Sequence, residues 1–480
     1  MNSRVLLTQM IVVGGFAMEG IDATMITTAL PAIAADLKMD PIGLKVAVSA
    51  YYLAMAVFIP IGSWCADRFG ARIMFCLSLA AFTLGSVACA FSYTFLMFVV
   101  ARATQGAGAA LMFPIGRVIL LRTLPKNQYV GGLALLSIPA QVGPILGPVI
   151  GGFITTYFHW SWLFWINVPL GVGGIILTTR VISNDRLVEL GPLDLTGFVL
   201  SAIGLAFLGS GLNDVVDSSV SVALAAIGLG FLILYMLHAR SVSAPILDLK
   251  LFSFETFRIC AVSGFVFRAG GAAFGFLLPV MLQVQFGLTA LDSGMLTFSG
   301  AFGIIFAKVT IAPILRRVGF RRVLVGNALT SAVAVGMTGL LSSRTPLFVI
   351  VALVFCVGTL CALQIICLDT LAYANISDRI MNRASALISV LKQFAPAVGV
   401  ASVGLLMQLC KLMPAYGYND GFDVRLIFAL ILVPMAVTSL INARLPPSAG
   451  EDVSGHVMRN RRSKMARAGE SDKVLAGETD

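Results

Sequence analysis

Carboxylate and cationic side chains lie inside two long apolar runs in the first part of this chain. Glu19 and Asp22 belong to the first run, and Arg102 and Gln105 belong to the fourth. Ionisable groups are costly in apolar surroundings and usually serve a function there, and a carboxylate can carry a proton. A structural ion pair between two helices is the alternative for Asp22 and Arg102. Helix packing is the alternative for Glu19.

The composition indicates which elements must position these residues. Of 480 residues, 58% are hydrophobic and 12% are charged, whereas about a quarter are charged in soluble domains. Apolar runs of about twenty residues, which can cross a ~30 Å hydrocarbon core as a helix, recur along the chain. The sequence therefore predicts an all-α membrane protein. The first run is too long for a signal peptide, so we expect it to be retained.

Fourteen apolar runs predict fourteen transmembrane helices. Lys and Arg are enriched in cytoplasmic loops. If the N-terminus is cytoplasmic, the inner connections carry fifteen of these residues and the outer connections carry five. We therefore expect a multi-pass protein of the cell (inner) membrane with both termini in the cytoplasm. The predicted segments are 7–32, 46–64, 73–92, 95–121, 129–154, 162–179, 195–212, 219–238, 259–284, 294–314, 323–341, 346–372, 384–410 and 426–443.

The net charge of +10 and the eight cysteines fit a membrane protein. The basic residues are dispersed over loops and the C-terminal tail, and no finger, basic zipper or RNA-binding motif is present, so nucleic-acid binding is not expected. The cysteines form no C-x-x-C pair. We therefore expect neither a disulfide framework nor a metal site, and no cofactor.

Two short loops indicate an internal repeat. "GSWCADRFGARIMF" follows the second predicted span and "APILRRVGFRRVLV" follows the tenth, and each has a glycine flanked by arginines. Such duplicated helical halves are common in secondary transporters. The predicted units are an N-terminal six-helix bundle (1–180), a two-helix insert with its connections (181–258), a C-terminal six-helix bundle (259–445) related to the first by pseudo-twofold symmetry, and a basic, disordered cytoplasmic tail (446–480).

Helix geometry predicts that Asp22 and Arg102 meet. At about 1.5 Å per residue, Asp22 lies roughly 22 Å from the inner end of the first span, and Arg102 lies roughly 10 Å from the outer end of the fourth. In a ~30 Å core these depths nearly coincide. Gln105, one turn from Arg102, offers an amide to the same site. Helix movement would then change the proton affinity of Asp22.

Six motifs occur in order along the chain: "IDATMITTALPAI", "GSWCADRFGAR", "RATQGAGAALMFP", "GPILGPVIGG", "WSWLFWINVPLG" and "RASALISVLKQFAPAVGVA". Together they resemble the major facilitator superfamily, and more closely its fourteen-helix drug:proton antiporter branch. The resemblance covers nearly the whole chain and implies a proton-coupled exporter of small amphipathic molecules that works by alternating access. Two departures are a second loop without the aspartate of the first, and a second span without the usual tryptophan before its tyrosine.

The resemblance implies roles for two of these motifs. In the loop after span two, Asp67 would latch a cytoplasmic gate through Arg117 or Arg122, and a topology signal alone is the alternative. The other residues of this gate are Gly62, Arg68, Gly70 and Arg72. The glycines and prolines of span five would form the antiporter motif, with ordinary small-residue packing as the alternative. They are Gly143, Pro144, Gly147, Pro148, Gly151 and Gly152.

The second half adds three cations to the predicted substrate cavity, Arg268, Lys308 and Lys392. Asp369 lies by residue count near the cytoplasmic end of its span, so we expect none of the three to have an acidic partner at its own level. Such a cavity would suit anionic, zwitterionic or neutral amphiphiles. Snorkelling of the three side chains toward the membrane surface is the alternative.

Two further classes of function stay open on the sequence. A dedicated exporter or importer of one metabolite, such as an organic acid or a siderophore, is one; a membrane sensor or enzyme is the other. The chain has no H-E-x-x-H, nucleophile elbow or Walker motif, so no catalytic residue is assigned and ATP is not the expected energy source. The expected partners are a small amphipathic molecule, protons and the lipid bilayer; a periplasmic adaptor is not identified by the sequence.

Overall fold

The computed structural model describes residues 3–123, 139–184, 193–212, 219–242, 245–374, 376, 378–411, 424–447 and 449–450. Every regular element in these residues is helical. The start of predicted span five, parts of the predicted cytoplasmic connections and the C-terminal tail beyond residue 450 lie outside them.

The described residues form sixteen α-helices. Of these, α2 and α11 each continue into a short 3₁₀ or π segment, and α7 continues almost directly into α8. The α-helices are α1 Ser3–Asp36, α2 Lys45–Phe58, α3 Gly62–Phe69, α4 Ala71–Ala90, α5 Phe95–Thr123, α6 Pro139–Tyr157, α7 Trp162–Trp165, α8 Asn167–Val181, α9 Leu195–Gly211, α10 Ser219–Ser241, α11 Glu255–Val280, α12 Ala290–Val318, α13 Phe320–Thr338, α14 Leu347–Ala372, α15 Asp378–Lys411 and α16 Val424–Asn442. The turns are two 3₁₀ segments, Ile59–Ile61 and Leu249–Ser253, and a π segment, Met281–Gln285.

Eleven helical stretches of the described chain are long and apolar enough to cross a membrane. In these stretches α2 and α3 count as one, as do α7 and α8, and α11 extends through the π segment. The helices α6, α9 and α13 occupy the remaining three predicted segments. The chain is therefore an all-helical integral membrane protein, as the composition predicts.

The two repeated loops share a backbone feature that explains their glycines. Gly70, between α3 and α4, has φ +98° and ψ 133°, and Gly319, between α12 and α13, has φ +81° and ψ 158°. Positive φ of this kind is easily adopted by glycine alone, because it has no Cβ. Each loop thus turns the chain sharply between two helices, and the two turns have closely similar geometry.

Two helix–helix interfaces join the first part of the chain, α1–α8, to the second part, α11–α16. Within the first part, α1 packs on α6 and α5 packs on α2 and α4; within the second, α12 packs on α14, α13 on α16 and α11 on α15. The contacts between the parts are made mainly by α6 with α12 and by α2 with α15. α9 and α10 pack against each other, and α9 also packs against α2.

Hydrogen bonds attach the α9–α10 pair to the connection that follows it. Asp194, just before α9, accepts the backbone N–H groups of Gly197 and Ile246 and lies 2.7 Å from Nε2 of His238. The hydroxyl of Tyr235 donates to the carbonyl of Leu247 at 2.7 Å. These bonds hold the segment before α11 against the cytoplasm-facing ends predicted for α9 and α10.

The stretch "GPILGPVIGG" makes α6 a contact helix on two sides. A Cβ on Gly143, Gly147 or Gly151 would collide with Gly20, Thr24 or Met25 of α1. On the opposite side, a Cβ on Gly152 would meet the carbonyl of Ala290, at the start of α12. The glycines therefore permit close approach of α6 to both helices. The side chain of Pro144 lies outside the described residues.

Candidate functional site

Asp22 lies at the centre of a buried polar network. Its carboxylate and the guanidinium of Arg102 are 0% and 1% exposed, and Nη1 of Arg102 donates to Oδ2 of Asp22 at 2.8 Å. Gln105 Nε2 donates to Oδ1 at 2.8 Å, and Asn167 Nδ2 donates to the same oxygen at 2.8 Å. The expected meeting of Asp22, Arg102 and Gln105 is confirmed.

Two members of this network, Asn167 and Ser86, were not predicted from the sequence. Asn167 begins α8, within the quoted motif "WSWLFWINVPLG", which received no role. Ser86 of α4 accepts from Gln105 at 2.8 Å and from Asn167 at 3.2 Å. The motif could have suggested Asn167, whereas nothing in the sequence distinguishes Ser86 from other serines in apolar runs. Four helices, α1, α4, α5 and α8, thus supply the network.

Tyr51 connects the network to Glu19. Its ring lies 4.2 Å from the guanidinium carbon of Arg102, a cation–π contact, and its hydroxyl donates to Oε1 of Glu19 at 3.3 Å. Tyr51 therefore contacts Glu19 on one side and the partner of Asp22, Arg102, on the other. Nε of Arg102 is buried and has no hydrogen-bond partner among the described residues.

A cavity of about 250 Å³ lies beside this network, between the first and second parts of the chain. Tyr52 lines it and contacts the ring of Tyr51 edge-on, with ring centroids 5.5 Å apart. A path of packed rings therefore leads from the cavity to Arg102. The lining is mostly apolar and comes from α1, α2, α6, α11, α12, α14 and α15: Ala23, Thr24, Thr27, Val48, Tyr52, Pro148, Ala272, Phe274, Gly275, Phe276, Leu278, Thr297, Gly300, Ala301, Ile304, Val354, Gly358 and Val400.

The expectation for the second half was wrong in one respect, because Asp369 pairs with two of its cations. Nη2 of Arg268 contacts Oδ1 of Asp369, and Nζ of Lys392 lies 2.8 Å from Oδ2. The prediction compared only the positions of these residues along their helices, and it did not include the reach of long side chains. Nη1 of Arg268 lies 2.8 Å from the Cβ position of Gly264, four residues earlier on α11, so the side chain bends back toward the start of its helix.

Lys308 differs from the other two cations. It is exposed, and no ion-pair partner for it occurs in the described part of the chain. It follows the cavity residue Ile304 by four positions on α12, so the two share a helix face. Its role in the cavity stays a prediction, with snorkelling toward the membrane surface as the alternative.

The predicted cytoplasmic gate is brought together only in part. Asp67 is half-buried in α3, Arg68 is exposed and Arg72 is half-buried. Nη1 of Arg117 donates to Oγ of Ser385, on α15, at 3.3 Å, and the side chain of Arg122 lies outside the described residues. A Cβ on Gly62 would collide with Pro114, so α3 lies close against α5. The pairing of Asp67 with Arg117 or Arg122 stays a prediction.

Metal-binding geometry is absent from the residues that can be described: no three His, Cys, Asp or Glu side chains converge there as a ligand set. Ionisable groups buried within membrane helices mark transport pathways and proton relays, and a cavity lies beside them here, so the fold and the site have the features of a membrane transporter. More particularly, this chain belongs to the Major Facilitator Superfamily, whose family model matches residues 12–400. It is therefore a transporter and not an enzyme.

Similar proteins agree with this assignment. The putative multidrug resistance protein MdtD of Escherichia fergusonii is 32% identical over 465 residues, covering 94% of this chain and 97% of the relative. The protein of the same name from Pectobacterium atrosepticum is 32% identical and covers 91% and 95%.

Solved structures show the same fold at low sequence identity. A D-xylose–proton symporter matches with a TM-score of 0.67 and 12% identity over 95% of this chain and all of its own. A point mutant of the nucleoside transporter NupG matches with a TM-score of 0.65 and 13% identity over 92% of this chain and 99% of its own.

Proposed function

We propose that the protein is a proton-coupled antiporter that exports small amphipathic molecules by alternating access. The observation that carries this proposal is the Asp22 network beside the cavity. Asp22 accepts three hydrogen bonds from donors on two other helices, so its ionised form is supported only while those helices stay in place. A rearrangement that withdraws Arg102 or Asn167 would favour proton uptake by Asp22.

The contacts of α6 with α1 and α12 support coupling between the proton site and the cavity. The glycines of "GPILGPVIGG" let α6 approach both α1, which carries Asp22, and α12, which lines the cavity. Movement at one of these contacts can therefore reach both the proton site and the cavity. The relatives called putative multidrug resistance proteins also favour export of drug-like molecules.

The proposed architecture has two six-helix bundles, 1–180 and 259–445, separated by the insert 181–258 and followed by a cytoplasmic tail, 446–480. The similar turns at Gly70 and Gly319 support equivalent positions for the two loops. The packing of α9 on α10 and α2 supports a hairpin inserted at the edge of the bundles. In this arrangement the protein lies in the inner membrane with both termini cytoplasmic.

Proton exchange can be tested in everted membrane vesicles. Respiration acidifies their interior, and an acridine dye reports the gradient. We expect the gradient to fall when a transported molecule is added to vesicles containing the protein, and not in vesicles without it. The panel is ethidium, the zwitterion norfloxacin and 1-naphthylacetate. A facilitator or a sensor would leave the gradient unchanged with all three.

A second candidate is a dedicated transporter of one organic acid. The arrangement of Arg268 and Lys392 around a single carboxylate favours it, because this part of the molecule holds more cationic than anionic groups. Both candidates use the same proton site and differ in the range of molecules that enter the cavity.

A further inference from the structure

The Arg268–Asp369–Lys392 cluster joins three helices, α11, α14 and α15, that also line the cavity. Arg268 lies four residues before the cavity residue Ala272 on α11, about 6 Å along the helix axis, and Asp369 lies eleven residues after Gly358 on α14, about 16 Å along it. α11 and α14 run in opposite directions in the predicted topology. The cluster is therefore placed on the side of the cavity that this topology assigns to the cytoplasm.

The cluster contains two cationic side chains, Arg268 and Lys392, and one carboxylate, Asp369. The single carboxylate of Asp369 uses one oxygen for Arg268 and the other for Lys392. A guanidinium has five N–H donors and an ammonium has three, so each cation keeps donors beyond the one that it gives to Asp369. Excess positive charge in a partly dehydrated site is costly until an anion compensates it.

A third cation stands close by and comes from the first part of the chain. The hydroxyl of Tyr373, directly after α14, lies within the electrostatic range of Arg117, Arg268 and Asp369 and is hydrogen-bonded to Ser385. Arg117 donates to the same serine. Arg117, from the first part of the chain, therefore shares Tyr373 as a neighbour with Arg268 and Asp369 of the second part.

Access to the cluster is open. The side chains of Lys392 and Asp369 are 34% and 30% exposed, whereas Asp22 and Arg102 are almost completely buried. A ligand can therefore reach Lys392 without unfolding a helix, and an apolar part of the same ligand can extend along α11 toward the cavity. The geometry suits an amphiphile with an anionic head and an apolar body.

We propose that Arg268 and Lys392 bind the carboxylate of the transported molecule, so that the substrate class is organic anions or zwitterions with a carboxylate. Asp369 occupies both cations in the absence of substrate, and the incoming carboxylate takes its place on Lys392. This inference rests on the proposed export function for its physiological meaning, but binding itself needs no proton gradient. Cationic drugs are disfavoured at this position because the cluster repels them.

The test measures equilibrium binding to the purified full-length protein in detergent by titration calorimetry. Three probes share one naphthalene ring: 1-naphthylacetate is an anion, 1-naphthylacetamide is neutral and 1-naphthylmethylamine is a cation. We expect naphthylacetate to bind at least about fivefold more tightly than the other two. Lys392→Gln should weaken naphthylacetate about tenfold and leave the amide unchanged, because one charge-assisted hydrogen bond is lost.

Matched variants separate the site from general effects of charge and folding. Lys392→Arg should retain most of the affinity, since the charge remains. Arg258→Gln removes an exposed cation from the start of α11 and should not change binding. Lys392→Gln leaves Arg268 paired with Asp369, so the variant should elute and melt like the wild type.

Two results would overturn the anion site. One is equal affinity for the three probes, absence of binding included. The other is tightest binding of the amine together with its loss in Asp369→Asn, because that would make Asp369 the receptor for a cation. A preference for naphthylacetate without any response of the proton gradient would instead overturn proton coupling and leave the anion site standing.

Discussion

Replacement of Arg102 tests whether the buried pair couples proton movement to transport. In Arg102→Ala the carboxylate of Asp22 keeps the donors on Gln105 and Asn167 but loses its counter-charge. Leaving one charge of a buried pair without its partner costs about 3–5 kcal/mol. Without Arg102, movement of α5 no longer brings a counter-charge to the Asp22 carboxylate or withdraws one from it.

The expected size of the effect follows from the contacts that Arg102 makes. Its charge-assisted bond to Asp22 contributes about 1.5–3 kcal/mol, and the contact with Tyr51 adds about 0.5–2 kcal/mol. Since about 1.4 kcal/mol is a factor of ten, gradient-driven transport by Arg102→Ala should fall at least tenfold. Arg102→Lys should recover only part of this, because an ammonium can donate to Asp22 and Gln105 as Nη1 of Arg102 does but lacks the planar guanidinium that packs on the ring of Tyr51.

The assay compares two modes of transport in proteoliposomes. Gradient-driven export requires proton exchange, whereas equilibrium exchange of labelled substrate does not. We expect Arg102→Ala to lose the first and to retain the second, and Arg258→Ala to retain both. Wild-type gradient-driven rates in Arg102→Ala would refute the coupling role and return the pair to a purely structural one.

Three further changes have separate expected outcomes. If Asp67 latches the cytoplasmic gate, Asp67→Asn should remove about 1–3 kcal/mol from the closed state, and impermeant-reagent labelling of a single cysteine at the cytoplasmic mouth should rise in everted vesicles; unchanged labelling with normal transport would leave the loop a topology signal. Gly143→Ala places a methyl group against the backbone of Gly20 and should cost about 1–3 kcal/mol, seen as a lower melting temperature in detergent; Gly173→Ala, which meets nothing within 4 Å, should melt unchanged. Burial raises the pKa of Asp194, but hydrogen bonds from His238, Gly197 and Ile246 outweigh it and hold that pKa below its ordinary value. Its ionised form therefore stabilises the fold above the ordinary carboxyl pKa, and this contribution is lost as the pH falls through the lowered value. Asp194→Asn should consequently increase proteolysis of the segment before α11 at pH 7; a cleavage rate equal to wild type would contradict this.

Helical character and the buried pair were predictable from the sequence for simple reasons. A twenty-residue apolar run has one stable form in a membrane, since a helix satisfies its own backbone hydrogen bonds. The fixed rise per residue of a helix then gives each charged group a depth in the membrane, and the similar depths of Asp22 and Arg102 predicted their pairing. Gln105 was added to the predicted site because it lies one helical turn from Arg102.

Partners that depend on side-chain direction could not be predicted in the same way. The positions of Asp369, Arg268 and Lys392 along their helices predicted different depths for the three residues. Their flexible side chains nevertheless bring the charges together. Ser86 could not be foreseen, because its role depends on which face of α4 meets α5 and α8. The sequence also did not show that the glycines of α6 serve two neighbouring helices.

The central claim is that Asp22 carries the transported proton. The most direct measurement is the proton flux that substrate evokes across everted vesicles containing Asp22→Asn at wild-type abundance. Asparagine keeps an oxygen that can accept from Gln105 or Asn167, and it cannot exchange a proton. We expect substrate to leave the gradient unchanged in this variant while equilibrium exchange of substrate continues. A substrate-evoked fall of the gradient equal to that of the wild type would contradict the claim.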